Sequence, residues 1–448
     1  MNKRGLVVRV IPALLACMAS GYAAASGFQL IEQNASGIGN AYAGSAAVAE
    51  NASTIFYNPA GMTQLQAREF SGGLSAVKPS FQFNNGASTN VGAFANSGGD
   101  DGGTLGLIPN AYMSWAVNKD LYLGLGIGAP FGLMTEYKNP WIGAAQSIKF
   151  SVKTLNVNPS IAYRANDMVS LGFGLDWQKI NAEYKRGVGS YFGAAGNTAG
   201  LSALLKLNDN AWGWNAGVLF NVSPATKIGV SYRSAIKYSL TGDMNLSADG
   251  SLGSTTTLAA LNAQGGSSGA GADLKLPDTW IFSATHKYND RWEVLGDLSR
   301  TGWASIPKID IAHTDGVANG TVAQSLLTDF RNTWRAALGA KYKLRDDLTL
   351  KMGIAYDQTP TKGAATRLVS MPDNNRLWLS FGTQWQPAKG STLDVGVAYL
   401  YLKDAAIHND QSVVSANPIF NALLQRGVVD GTYSDNAWLL GAQYSVSF

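Results

Sequence analysis

Residues 334–357 read WRAALGAKYKLRDDLTLKMGIAYD, and the spacing of their side chains decides the architecture. Trp334, Ala336, Leu338, Ala340 and Tyr342 fall on one side of an extended chain, with Arg335, Ala337, Gly339 and Lys341 on the other. After a short turn at Arg345-Asp346 the alternation resumes, Leu350, Met352, Ile354 and Tyr356 opposing Thr349, Lys351, Gly353, Ala355 and Asp357. Successive side chains of a strand point to opposite faces, so this is a hairpin with one apolar face and one mixed face. The first stripe carries an aromatic at each end and aliphatics between. A strand that crosses a membrane needs that order, because aromatic rings settle at the two interfaces.

Outward from this hairpin the period of two recurs from about Arg68 to the end of the chain. Fourteen such segments begin near Arg68, Ile108, Leu121, Phe150, Met168, Trp212, Thr226, Asp278, Arg291, Asp329, Asp347, Asn374, Ser391 and Thr432. Short polar turns, such as Asn118-Lys119-Asp120 and Ala388-Lys389-Gly390, alternate with long loops around 82–107, 132–149, 187–211, 243–277, 313–328, 359–373 and 405–431. Short turns on one rim and long loops on the other predict an all-β fold, a fourteen-stranded antiparallel transmembrane β-barrel. A soluble β-sandwich has no reason to keep that alternation of loop lengths.

Composition agrees. Charged residues make up only 14% of the chain, 51 residues are glycine, and the mean hydropathy is near zero. No stretch of the mature chain approaches ~18 consecutive apolar residues, so helices are not what crosses. At the start, Lys3, Arg4 and Arg9 precede an apolar run from Val10 to Ala19 and the small residues Ala23-Ala24-Ala25. This predicts a signal peptide over 1–25, cleaved before Ser26; a lipobox reading of Leu14–Cys17 would lipidate Cys17 instead. Cys17 is the only cysteine, so the cleaved chain has no disulfide, thiolate metal site or cysteine nucleophile. The signal holds three basic and no acidic residues, so the net charge falls from +4 to +1 on cleavage, with no basic face for nucleic acid. His286, His313 and His408 are far apart and lack a serine elbow or zinc spacing, so no enzyme, metal or cofactor is expected.

Residues 26–66 are rich in Ala, Ser, Gly and Asn and show no stripe. Ala41–Asn51 suits a small-residue helix, and Asn58-Pro59-Ala60 reads as a rigid turn. A fourteen-stranded lumen is wide, so this segment is expected to plug it, with the barrel proper spanning 67–448.

Three further features bear on function. Gly124, Gly126 and Gly128 share one face of the third strand, opposite Leu123, Leu125 and Ile127, and Pro130 follows. Either this is a Gly-rich strand packed on the plug, or it kinks inward and opens the wall, since Gly weakens pairing and Pro cannot donate to the ladder. Gly124–Ala129 also matches a dinucleotide fingerprint by letters, but Pro130-Phe131-Gly132 stands where a helix must begin. Arg186 keeps the parity of Gly172, Gly174 and Asp176, which points it inward near the outer rim. It is either a solvated rim arginine or the partner a carboxylate would need in an apolar lumen. Lys308 is a second cationic candidate whose register Pro307 disturbs.

The sequence resembles the FadL family of outer-membrane transporters. The matching residues include Ser26-Gly27-Phe28-Gln29-Leu30, Gly37–Gly44, Asn58-Pro59-Ala60, Ala129-Pro130-Phe131-Gly132-Leu133, Ser231-Tyr232-Arg233-Ser234, Leu276-Pro277-Asp278-Thr279-Trp280 and Ile354-Ala355-Tyr356-Asp357, in the family's order. The resemblance implies a barrel plugged by an N-terminal hatch in the outer membrane of a Gram-negative bacterium. Hydrophobic molecules would be caught among the outer loops, held in an apolar pocket and released sideways into the lipid through a kink at Gly124, Gly126, Gly128 and Pro130. Long-chain fatty acids are the first cargo it suggests, and aromatic hydrocarbons the second. It makes Arg186, Phe28 and Lys308 the ligand-binding candidates and Asn58, Pro59 and Ala60 a hatch element. Trp438, Leu440, Ala442, Tyr444, Val446 and Phe448 share one parity, and this ending resembles the signal read by the barrel assembly machinery. A monomer is expected. The competing reading from another class is an adhesin that uses its long loops, which needs neither plug nor glycine-rich strand.

Overall fold

The computed structural model describes residues 27–89, 100–138, 141–188, 201–248, 255–412 and 426–448, so the signal segment 1–25 and Ser26 lie outside the described residues. Fourteen antiparallel strands close into a barrel. They are β1 Arg68–Asn85, β2 Gly106–Ala116, β3 Leu121–Gly128 resumed at Gly132–Glu136, β4 Lys149–Arg164, β5 Val169–Gly187, β6 Leu201–Asn221 and β7 Thr226–Arg233 resumed at Ile236–Ala248. The second half comprises β8 Ser268–Leu276 resumed at Thr279–Lys287, β9 Trp292–Thr301 resumed at Lys308–His313, β10 Val322–Leu327 resumed at Thr333–Arg345, β11 Leu348–Asp357, β12 Arg376–Ala388, β13 Ser391–Leu402 resumed at Ala405–Asp410, and β14 Val428–Ser447. β14 closes the ring on β1 from Glu69↔Ser447 to Asn85↔Gly431, which leaves no sheet edge exposed to lipid.

The short-turn rim is built by one repeated device. Asn118 Oδ1 accepts from the N–H groups of Asp120 and Leu121, Asn166 from those of Met168 and Val169, and Asn289 from those of Arg291 and Trp292, all at 2.9 Å. Each is an Asx turn, in which a side chain supplies the acceptor that the turning backbone lacks.

The strands are longer than the alternation predicts. Leu201–Asp209, 243–248, 268–276 and 405–410 were expected to be loop and are strand. In β6 the residues at 213, 215, 217 and 219 face the lumen, and so do Leu201, Ala203, Leu205 and Leu207. Within the membrane the apolar side chains of this strand face lipid, at Trp212, Trp214 and Val218. Beyond it they face inward, around a buried apolar core. The backbone register is unbroken while the hydrophobic stripe changes face.

The segment ahead of β1 is buried inside the ring. It forms short turns of helix at Ile38–Asn40, Thr54–Tyr57 and Pro59–Gln64. The helix expected over Ala41–Asn51 is absent, because Ala41, Tyr42 and Ala49 take left-handed backbone at φ 51°, 57° and 47°. Arg335 fixes this turn by donating to the Ala41 carbonyl at 2.7 Å. Inward glycines make room for the plug: a Cβ on Gly353 would stand 2.3 Å from the Asn40 carbonyl carbon. Backbone cannot yield there, so Gly353→Leu is expected to unseat the plug and raise small-sugar entry in a liposome-swelling assay. Gly296→Ala faces outward, where the nearest atom to an added Cβ is Leu338 Cδ2 at 3.9 Å, and should leave the same assay unchanged.

Candidate functional site

The wall is interrupted beside the plug. β2 and β3 share hydrogen bonds only from Ala111↔Ile127 to Ala116↔Tyr122. On its other side β3 pairs with β4 as Gly128↔Asn156 and then Gly132↔Lys153, so three residues of β3 oppose two of β4 in a bulge. Where β2 no longer serves β3, residues 28–33 take its place. The Leu30 N–H donates to the Pro130 carbonyl and the Gly132 N–H to the Phe28 carbonyl, both at 2.8 Å. The Gln33 side chain acts as a surrogate peptide for Ala129, donating to its carbonyl at 2.7 Å and accepting from its N–H at 3.0 Å. Unpaired backbone facing lipid costs several kcal/mol, so these contacts are what make an interrupted wall tolerable. Each of the singled-out glycines meets the plug: a Cβ would stand 2.5 Å from Met62 Sδ at Gly124, 3.2 Å from Ile55 Cγ2 at Gly126 and 2.5 Å from Gln33 Oε1 at Gly128.

Asn58-Pro59-Ala60 seats the plug lower on the wall. Asn58 is fully buried, accepts from the Ala60 N–H at 3.1 Å, and donates to the carbonyls of Ala46 at 2.7 Å and Val218 at 3.0 Å. Pro59 opens the short helix Pro59–Gln64, where its missing N–H has no partner to lose. Gly172 and Gly217 let this turn touch the wall: a Cβ would lie 2.2 Å from the Ala60 nitrogen and 2.1 Å from Asn58 Oδ1, respectively.

Above the interruption lies one large buried apolar cluster. Phe28 sits in it, its ring 4.9 Å from Trp303 and 6.0 Å from Phe131. Trp303 in turn meets Phe330 at 5.9 Å, and a second group joins Phe83, Trp141, Tyr137 and Tyr433. Arg186 faces inward at the outer end of β5, buried at 6% exposure and donating to the Gly187 carbonyl at 3.1 Å. It stands beyond Trp177, past the apolar outward band, and lines a hollow of about 460 Å³ with Met244, Leu246, His313 and Gln324. Burial, and after it the charge of Arg426, push its pKa below the ordinary guanidinium value. Lys308 is elsewhere: its side chain is 58% exposed and ion-paired to Asp310 at 2.6 Å, so the structure does not bring it to Arg186 or Phe28.

The lumen holds a further set of residues that the sequence reading missed. Glu50 of the plug reaches Lys341 at 2.6 Å and Lys351 at 2.9 Å, and Lys351 also holds Asp394 at 2.8 Å. Lys351 donates to the Ser36 carbonyl at 3.1 Å, Arg233 to that of Phe56 at 3.0 Å, and Arg164 to that of Thr63. The signal was present in the sequence, because residues 26–66 contain Glu32 and Glu50 but no lysine or arginine. An acidic plug needs inward cations on its wall.

A closed antiparallel barrel with a lipid-facing apolar band, an internal plug and a wall interruption backed by that plug is the build of an outer-membrane transport protein. The chain belongs to the family described as outer membrane protein transport protein (OMPP1/FadL/TodX), whose model matches residues 16–448. Its members are outer-membrane transport proteins and not enzymes, and its place is the outer membrane. Among relatives, the chain is 28% identical over 466 residues to the long-chain fatty acid transport protein of Salmonella typhi, covering 100% of both. It is 30% identical over 426 residues to outer membrane protein P1 of Haemophilus influenzae, covering 87% of this chain and 89% of that protein. The crystal structure of a Pseudomonas aeruginosa FadL homologue superposes with a TM-score of 0.81 at 23% identity, covering 94% of this chain and 100% of that one. The Pseudomonas putida toluene transporter TodX gives 0.67 at 16% identity, covering 95% and 100%.

Proposed function

We propose that the protein takes up long-chain fatty acids across the outer membrane and releases them sideways into the lipid through the interruption in β3. One observation carries this reading: the buried apolar cluster around Phe28, Phe131 and Trp303 runs without a break to the wall between Gly128 and Gly132. An acyl chain in that cluster reaches the wall without crossing the polar plug beneath it. The relatives that the chain matches over its full length are named long-chain fatty acid transport proteins, which supports the same cargo. In this reading residues 1–25 are removed on export, 26–66 form the hatch and 67–448 the barrel. The protein works as a monomer, and Phe448 is the end that the assembly machinery reads.

The test is accumulation of radiolabelled oleate by cells that lack their own fatty-acid channel. Expression should raise it well above the empty vector, and equality with the vector overturns the proposal. A second reading, an aromatic hydrocarbon as cargo, is favoured by the density of rings around Phe28, and labelled toluene in the same cells decides between them. Arg186 serves as the head-group partner. Arg186→Ala is therefore expected to weaken fatty-acid binding by about 1.5–3 kcal/mol, the worth of a charge-assisted contact, while leaving binding of the matching alkane unchanged. Calorimetry with both ligands checks this, and equal losses would make Arg186 scaffold.

A further inference from the structure

On the outer surface of the barrel, Tyr232, Trp280, Arg300 and Trp334 stand at one height. Trp280 pairs across strands with Tyr232 on one side and Arg300 on the other, and Arg300 pairs with Trp334. Tyr232 and Trp280 pack at 4.6 Å. These rings mark the outer interface, on the rim from which the long connection after β9 departs. One step toward the middle of the membrane Ala336 pairs with Leu298, and a step further Ala284 pairs with Gly296, small residues where bulky ones stand elsewhere on the wall. They floor a hollow of about 650 Å³ bounded by Phe282, Leu298, Leu338 and Ile354.

Nothing inside the protein explains the floor. The inward glycines described above are seats for the plug, but Gly296 faces lipid, and a Cβ there would come no closer than 3.9 Å to another atom. Arg300 is equally unexplained by internal packing. It sits on the lipid-facing parity of β9, and among the described residues no ion pair holds it. A cation flanked by two tryptophans at the interface, above an apolar hollow, is complementary to a molecule with an anionic group at that height and an alkyl chain below it. The guanidinium fork matches phosphate in particular, through two parallel hydrogen bonds.

We propose that this face binds a phosphorylated glycolipid of the outer leaflet, one phosphate resting on Arg300 between Trp280 and Trp334 and one acyl chain lying over Ala284, Gly296 and Ala336. The site lies seven strands around the ring of fourteen from the β2–β3 interruption, on the opposite wall. A lipid held there leaves the open side of the barrel unobstructed.

The test is native mass spectrometry of the full barrel in non-ionic detergent with a bisphosphorylated lipid A, its dephosphorylated form, or phosphatidylglycerol. The phosphorylated glycolipid should remain bound to the wild type, and the other two should not. Gly296→Leu, which fills the hollow, and Arg300→Gln, which removes the charge, should each weaken binding about tenfold or more. Ala442→Leu, a similar enlargement on the lipid-facing side of β14, should have no effect. Heat-modifiable migration on gels shows that each variant is a folded barrel. Equal retention of phosphatidylglycerol or of the dephosphorylated form overturns the proposal, as does undiminished binding by Arg300→Gln, whatever Gly296→Leu does.

Discussion

A disulfide between Gln29→Cys and Phe131→Cys is expected to lower uptake tenfold or more, with reduction restoring it. Gln29 and Phe131 face each other in an antiparallel bridge whose flanking bonds are Leu30 to Pro130 and Gly132 to Phe28. That makes them a non-hydrogen-bonded pair, whose Cα atoms lie about 4.5 Å apart, within the range a disulfide spans. Cys17 is the only natural cysteine and belongs to the expected signal peptide, so the engineered pair has no competitor. The physical argument is about where a hydrophobic solute can go. Each buried CH₂ is worth about 0.8 kcal/mol, so leaving the lumen for periplasmic water is uphill and leaving for lipid is not. On the proposed lateral route, residues 28–33 cover the way to lipid and must move. Comparing oxidised with reduced protein keeps the side chains identical, so only the tether differs. Undiminished uptake by fully oxidised protein would mean that the solute leaves elsewhere.

Lys351→Met should be the most destabilising single change in the lumen, by about 3–5 kcal/mol. The side chain is almost completely buried and holds both Glu50 and Asp394. Its removal leaves the buried Asp394 without its cation and Glu50 with Lys341 alone, and a broken buried pair costs more than an intact one contributes. Glu50→Gln should be milder, because Lys351 keeps Asp394 and Lys341 keeps Glu293 at 3.6 Å. Thermal unfolding followed by gel migration reads the stability of the barrel. A planar-bilayer recording reads the plug, with larger and noisier current steps expected for Lys351→Met. Unchanged melting and unchanged current would show that this cluster does not hold the plug.

The transmembrane part of the fold was legible because lipid imposes one rule on every strand. Trp334, Ala336, Leu338, Ala340 and Tyr342 announce their face without reference to anything else in the chain. Above the membrane that rule lapses. Leu201, Ala203, Leu205 and Leu207 alternate just as clearly, but on the opposite parity to Trp212 and Trp214, and a stripe followed from one end is lost at the crossing. Of the six interruptions, that in β3 was legible from its clustered Gly and Pro and that in β9 from Pro307; at Lys403-Asp404 or Ser234-Ala235 no such residues mark the break. The site was readable in its parts. Arg186 was placed inward by parity alone, whereas Lys308, beyond Pro307, could not be placed. What no local pattern carries is pairing across hundreds of residues, as between Gln33 and Ala129 or Glu50 and Lys351.

The glycine seats also set a clock. Gly172, Gly217 and Gly353 accept the plug at different heights and on different sides of the ring, each against backbone or a buried amide. A casting keyed into its mould at so many points can neither rotate nor slide as one body, so expelling it would be as slow as local unfolding. Residues 27–33 lie at the edge of the mould and bond mainly to the wall, at Asp373, Thr279, Thr301, Ala129, Pro130 and Gly132, so they can part from it without moving the rest. If they alone move, the gate opens at the pace of a lid, in microseconds or longer, and still faster than the whole plug could leave. Arrival of cargo at the outer rim would then limit the flux, and transport should rise in proportion to external concentration until the binding cluster saturates.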